Sequence, residues 1–313
     1  MDVIDSDDLQ EYDKPINYYT FNNESYDYAD FYNYDFDAFS PVTPIAAHLS
    51  HIQIGIIHLS LSIIFFIIQL LFFYSIRKIS IKDNIPFKII FHHGILSFVQ
   101  QLCHIITSIL TIEKSHINLF LIALLGSFLH SFYIGGVILI FILTVNRFDI
   151  IYDTKYFPTI SRKKIFKISI IITYISMMGF FIFFMIPQYR LIFNLKRYEW
   201  TFVNITDENR EVILIESKIV FIFLILSFIF QVLIFTKVIS LRCKTSGKVF
   251  YFNKDFKLIL YSVLCFATTA FVEICWSGLF LKIYETWYGG MLPQILFIIV
   301  SGANTTFSFF CVK

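Results

Sequence analysis

The sequence predicts an all-α membrane protein, a bundle of seven transmembrane helices with the N-terminus outside. Three observations carry this. The 313 residues are 57% hydrophobic and only 15% charged, against about 25% charged in a soluble domain, and the mean hydropathy is +0.70. Seven apolar runs recur along the chain, each long enough to cross a hydrocarbon core that takes roughly 20 helical residues. The charges are sorted between alternate connections instead of being mixed. Strands are excluded because the runs lack a two-residue alternation, and an open sheet cannot satisfy its backbone in lipid.

Residues 1–50 stand apart as an expected disordered, acidic, tyrosine-rich extracellular tail. They hold eleven acids against one base, Lys14, and seven tyrosines, a composition that cannot bury enough apolar surface to fold. No basic stretch precedes an apolar one at the start, so no cleavable signal peptide is expected. The transmembrane domain is then 51–313, with helices expected over 52–76, 86–111, 118–146, 165–187, 217–240, 257–281 and 291–312.

The connections orient the bundle. The segments near 77–85, 147–164 and 241–257 carry thirteen bases against four acids, whereas the other side, tail included, carries seven bases and eighteen acids. The positive-inside rule places the basic segments in the cytoplasm. Two acceptor triplets for N-glycosylation, at Asn23 and Asn204, both fall on the expected outer side. The five cysteines, at 103, 243, 265, 275 and 311, leave no external disulfide framework visible.

Some side chains within the helices invite a chemical reading. Glu273 is read as the single intramembrane acid, in the outer half of the sixth helix, and a charge at that depth is by default a functional hypothesis. His104 in the second helix and His130 in the third lie at depths that let them share a cavity with it. Trp276 follows one turn after Glu273. A Glu–His pair there either binds a polar ligand group or simply locks two helices. Gly126, Gly135 and Gly136 on the third helix point to close helix packing. No zinc-binding HExxH, phosphate-binding loop or Cys/His metal spacing is present, so neither enzyme chemistry, a metal nor a cofactor is expected, and nothing points to nucleic acid.

The third helix ends in Asn146-Arg147-Phe148, followed by Tyr156-Phe157-Pro158. Arginine there can act as a rigid five-donor fork toward neighbouring helices or a partner's C-terminal carboxylate, or merely snorkel to the interface. This segment resembles the "NRF…Y" stretch of the nematode serpentine chemoreceptors, especially serpentine receptor class x, with class t or a related branch sharing the pattern. Glu199-Trp200-Thr201-Phe202 is similar to the stretch those receptors carry before their fifth helix, and Phe252 to Phe256 is similar to the start of their sixth. The resemblance implies a GPCR-like fold and a chemosensory receptor on a plasma or sensory ciliary membrane. Its implied partners are a small-molecule or peptide ligand and a heterotrimeric G protein. Candidate ligand contacts are His104, His130, Glu273 and Trp276. Candidate G-protein contacts are Asn146, Arg147, Phe148, Tyr156, Arg242, Lys244 and Lys248.

Departures from the broader rhodopsin-like pattern are clear. No cysteine stands at the outer end of the third helix, Cys275-Trp276-Ser277-Gly278 lacks the expected proline, and Asn304-Thr305-Thr306-Phe307-Ser308 stands where Asn-Pro-x-x-Tyr is usual. A retinal-binding opsin would want a lysine within the seventh helix, and the only one is terminal Lys313. Two alternatives belong to other classes. A peptide or chemokine-type receptor would use the acidic tail as its first contact, and a transporter or channel would pass solute through the bundle. The lack of repeat symmetry and the odd helix number weigh against the latter.

Overall fold

A backbone in lipid must satisfy its own hydrogen bonds, and the chain does so with long helices. The computed structural model describes residues 49–76, 84–113, 119–153, 161–194, 198–202, 207–244, 252–276 and 291–312. Seven helices run through them: α1 (His51–Ile76), α2 (Ile85–Glu113), α3 (Leu119–Tyr152), α4 (Arg162–Met185), α5 (Asp207–Lys244), α6 (Phe252–Trp276) and α7 (Met291–Val312). Each contains a stretch long and apolar enough to span a bilayer, which makes this a multi-pass membrane protein. All seven lie within one unit, Phe36–Lys313. The tail expected over 1–50 lies outside the described residues, apart from the two that lead into α1.

The helices divide by burial. Seventy-two per cent of the α3 span is enclosed, against 22% for α1 and for α4, so α3 is the axis of the bundle. It packs on α2, α4, α5 and α6, while α7 closes the ring against α1, α2 and α6. The peripheral helices turn Ile64, Ile175 and Ile222 outward, all more than half exposed. Such a surface is stable only against lipid.

Where helices approach closely, the contact is set by small residues and buried amides. Gly302 on α7 receives the Phe65 ring of α1 where a Cβ would collide. Gln101 on α2 donates from Nε2 to the Ile298 carbonyl and to Ser301 Oγ, both at 2.7 Å, and Gln69 on α1 donates to the Ser301 carbonyl at 3.1 Å. Interhelical hydrogen bonds of this kind contribute about 0.6–2 kcal/mol each in a membrane. The glycines of α3 act as expected in two of three cases. Gly135 faces Leu96 and Met177, and Gly136 faces His93. Gly126 instead meets a loop.

That loop is the connection between the fourth and fifth helices. A short 3₁₀ turn (Pro187–Tyr189) leads into an antiparallel hairpin of β1 (Leu191–Asn194) and β2 (Glu199–Phe202), with Phe193 opposite Trp200. The alternation of Leu191 and Phe193, both buried, drives one hairpin face onto α3, which β1 contacts. A Cβ on Gly126 would lie 2.8 Å from the Leu191 carbonyl oxygen and 2.9 Å from the Trp200 ring, so the hairpin seats on bare backbone.

Several helix ends also differ from expectation, α6 among them, which begins at Phe252, five residues before the expected 257. α3 continues to Tyr152, six residues past the expected end, and stops at Asp153, whose φ of 48° is the left-handed conformation that terminates helices. α5 starts at Asp207 and its apolar span at Leu214, which draws Glu216 into the bundle. The last five positions expected in the sixth helix, 277–281, lie outside the described residues.

Candidate functional site

On α3, His130 and Tyr133 are three residues apart and so share one helical face. Each meets a carboxylate from a different helix. His130 Nδ1 lies 3.1 Å from Glu216 Oε1 on α5, and the Tyr133 hydroxyl donates to Glu273 Oε1 on α6 at 2.7 Å. All four side chains are buried, at 4–8% exposure, where unpaired acids would be very costly. The result is a cluster of ionisable side chains spread over three helices on the hairpin side of the bundle.

Aromatic rings enclose it. Trp276 stacks on His130 at 5.9 Å and meets Tyr133 edge-on at 5.5 Å, and Phe297 of α7 touches Trp276 at 4.8 Å. Phe184 of α4 and Phe202 of the hairpin lie 5.8 and 6.4 Å from His130. His104 joins from α2 through the same Phe297, at 5.1 Å, and its Nδ1 lies 3.5 Å from the Gln294 amide nitrogen. Next to the hairpin, Thr107, Thr111, Phe193 and Trp200 line a small void of about 10 Å³.

The four residues expected to contact ligand therefore converge, but their pairing is not the expected one. Glu273 is not the only intramembrane acid, and its partner is Tyr133; the Glu–His pair is Glu216–His130. The cause is the low end of α5. The assigned run began at 217, one residue beyond Glu216, although the apolar stretch Val212-Ile213-Leu214-Ile215 before it was a sign that the helix starts earlier. Tyr133 was legible too, as the residue one turn from His130. Phe297 carried no signal, because one phenylalanine among 39 does not announce its neighbours.

The other end of α3 has a different construction. Arg147 is only 2% exposed, and its Nη2 donates to Asn146 Oδ1 at 3.1 Å. Phe148 stacks on Tyr152 at 4.4 Å and meets Phe230 of α5 at 4.9 Å, while the Tyr152 hydroxyl donates to the Leu233 carbonyl at 2.9 Å. Arg162, at the start of α4, pairs through Nε with Asp149 and through Nη2 with Asp153, both at 3.0 Å. Sequence reading missed this bridge, since it crosses the connection that it closes. Tyr156, Lys248, Asn23 and Asn204 lie outside the described residues; Arg242 and Lys244 end α5, with side chains outside them.

Between the two ends, a second void of about 10 Å³ is lined by His93, Ser97, Gln100, Tyr133, Thr269 and Asn304. Asn304 Nδ2 lies 3.5 Å from His93 Nε2, and Asn304 Oδ1 has no partner among the described residues. Among the described residues no group of three His, Cys, Asp or Glu side chains is placed to hold a metal ion. Cys103, Cys265 and Cys275 are buried free thiols.

Comparison with known proteins agrees with this architecture. The family model described as serpentine type 7TM GPCR chemoreceptor Srx matches residues 59–251. No curated protein matches the sequence. Among solved structures, squid rhodopsin superposes with a TM-score of 0.66 at 14% identity, over 86% of this chain and 83% of that one. At that identity the likeness is one of fold.

Proposed function

Because the chain belongs to the serpentine type 7TM GPCR chemoreceptor family Srx, we propose that it is a chemosensory receptor whose ligand binds at the His130–Glu216–Glu273–Trp276 cluster and that it activates a heterotrimeric G protein. The orientation that goes with this reading has the tail and hairpin outside and the Arg147 end in the cytoplasm of a plasma or sensory ciliary membrane, in keeping with the sorted charges of the connections.

One observation carries the proposal. α3 presents to the hairpin side both side chains that hold the buried acids, and to the opposite side the sealed Arg147. A ligand that rearranges Glu216 and Glu273 moves α5 and α6 relative to α3. Those same helices pack against Phe148, beside Ile234 and Val238 of α5 and Ile259 of α6, and Phe230 and Leu233 of α5 touch the α3 end. Arg147 is enclosed in the arrangement described, so the active arrangement is the one that uncovers it for the partner, with the ends of α5 and α6, including Arg242, Lys244 and Lys248, completing the contact. An agonist must bind that arrangement better than the resting one.

The test is G-protein activation in heterologous cells against a chemical and peptide panel, with surface expression measured in parallel. The expected result is a ligand-dependent signal abolished by Arg147→Ala and altered in ligand profile by Glu273→Gln. A surface-expressed protein that passes current or solute without signalling would replace this reading with that of a pore. Loss of response on removing residues 1–45 would instead favour a peptide receptor that uses its acidic tail.

A further inference from the structure

The cluster proposed as the ligand site contains an imbalance of charge that restricts what can bind there. Its acidic side chains are Glu216 and Glu273, 8% and 4% exposed. Arg147 is the one lysine or arginine among the described buried residues, and it sits at the opposite end of α3. Against the two acids stands His130 alone, which can offset one of them at most. Tyr133 supplies Glu273 with a hydrogen bond and no charge. The remaining imidazole nearby, His104, is hydrogen-bonded to an amide and to no acid. A carboxylate or phosphate brought into this site would meet two carboxylates with no guanidinium or ammonium to receive it.

Hydrogen-bonding capacity points the same way. Glu216, as a carboxylate, can only accept, so the 3.1 Å contact makes His130 Nδ1 the donor. In the neutral ring, Nε2 is then a bare acceptor, and it has no partner among the described residues although His130 is 7% exposed. The imidazole that carries it lies among the rings of Trp276, Phe184 and Phe297. With His130 neutral, the cluster therefore offers two carboxyl groups and an imidazole lone pair as acceptors, against which the Trp276 indole is the one N–H not already engaged with Glu216.

The surrounding rings supply the third feature. Their faces carry negative electrostatic potential and attract a cation lying within about 6 Å of the ring centre, more strongly where water is excluded. Trp276 and Tyr133 are the two better ring types for this purpose, and both stand beside the acids.

We infer that the ligand is a small organic cation with at least one N–H, a protonated primary or secondary amine, held between Glu216 and Glu273 against Trp276 and Tyr133 and donating to His130 Nε2. The inference rests on the reading of this cluster as the ligand site and names the chemical class that the site selects. The acidic residues 1–50, eleven acids to one base, would raise the local concentration of such a ligand by long-range attraction.

The experiment uses the full chain, purified in detergent, and reads the thermal unfolding midpoint against concentration for matched probes: 2-phenylethylamine, 2-phenylethanol and 3-phenylpropanoate, and butylamine, butanol and pentanoate. The expected result is that an amine stabilises the protein with an affinity about tenfold or more above its matched alcohol and acid, the difference made by one charge-assisted hydrogen bond. Glu273→Gln, which keeps an acceptor for Tyr133 and so should fold, is expected to remove that preference. Glu216→Gln is expected to weaken amine binding about tenfold as well. An alcohol or a carboxylate that binds as well as its amine overturns the proposal, as does stabilisation by amines that survives both substitutions. The proposal also fails if no member of the panel shifts the midpoint at millimolar concentration. The outcome is separable from the receptor reading: G-protein activation by a neutral or anionic compound sinks the cation and keeps the receptor, whereas amine binding without any coupling does the reverse.

Discussion

The two ends of α3 hold their charges in opposite ways. At the hairpin end, acids arrive from α5 and α6, and each finds a single partner on α3. At the other end, the acids belong to α3 and its terminus, and one arginine from the adjoining helix bridges two of them. The first arrangement ties together helices distant in sequence through one contact each, so a molecule that competes for a contact changes the helix packing. The second ties neighbouring segments together twice and leaves Arg147 enclosed. The difference separates an end tied by single contacts between helices distant in sequence from an end clamped between neighbouring segments.

The largest expected effect tests the hairpin-end pair. His130→Ala strands Glu216 in the bundle and is expected to cost about 3–5 kcal/mol, as for one partner removed from a buried pair, read as a lowered thermal midpoint in detergent. His130→Ala combined with Glu216→Ala should recover part of it, and equal midpoints for the single and double variants would show that the pair carries no coupling. Gly126→Val comes next. Its side chain must displace the Leu191 backbone and Trp200, and overpacking of this sort costs about 1–3 kcal/mol. Faster proteolysis of the hairpin, with the helical signal intact, is the expected readout; unchanged cleavage would mean that the hairpin does not seat on α3.

Tyr133→Phe deletes one hydrogen bond to Glu273 and should cost about 1 kcal/mol, the scale of interhelical bonds in membranes. Its midpoint is expected to fall by much less than that of His130→Ala, and the reverse order would make Tyr133, not the His130–Glu216 pair, the principal tie. The smallest effect belongs to the opposite end. Asp153 is 84% exposed at its side chain and Asp149 only 4%, although both lie 3.0 Å from Arg162. Asp153→Asn is therefore expected to change stability by under about 0.5 kcal/mol, and Asp149→Asn by clearly more. Equal effects would mean that burial does not set the strength of this bridge.

What was legible before any coordinates follows from period and solvent. Seven spans, their approximate limits and the membrane itself are dictated by the length of the apolar runs, since each helix satisfies its own backbone and needs no neighbour to do so. The boundaries failed where charged residues continue a helix, at Glu216 and from Arg147 to Tyr152, because a hydropathy window ends at a charge while a helix does not. His104, His130, Glu273 and Trp276 were recognisable as unusual groups at compatible depths, which is a property of position along each helix. Their partners were not recognisable. Which acid meets which base depends on the rotation of every helix about its axis, and that is set by packing over the whole bundle.

By itself, then, the sequence determined the solvent, the helix number and the presence of His104, His130 and Glu273 within the spans, all of which depend on residues near one another in the chain. Only the tertiary structure decided that Glu216 belongs to His130 and Glu273 to Tyr133, that a hairpin rests on Gly126, and that Arg147 is enclosed. The physical reason is the same for each. A buried polar group must be satisfied, but several candidates can satisfy it, and the choice is made where side chains separated by 86 or 140 residues are brought within hydrogen-bonding distance.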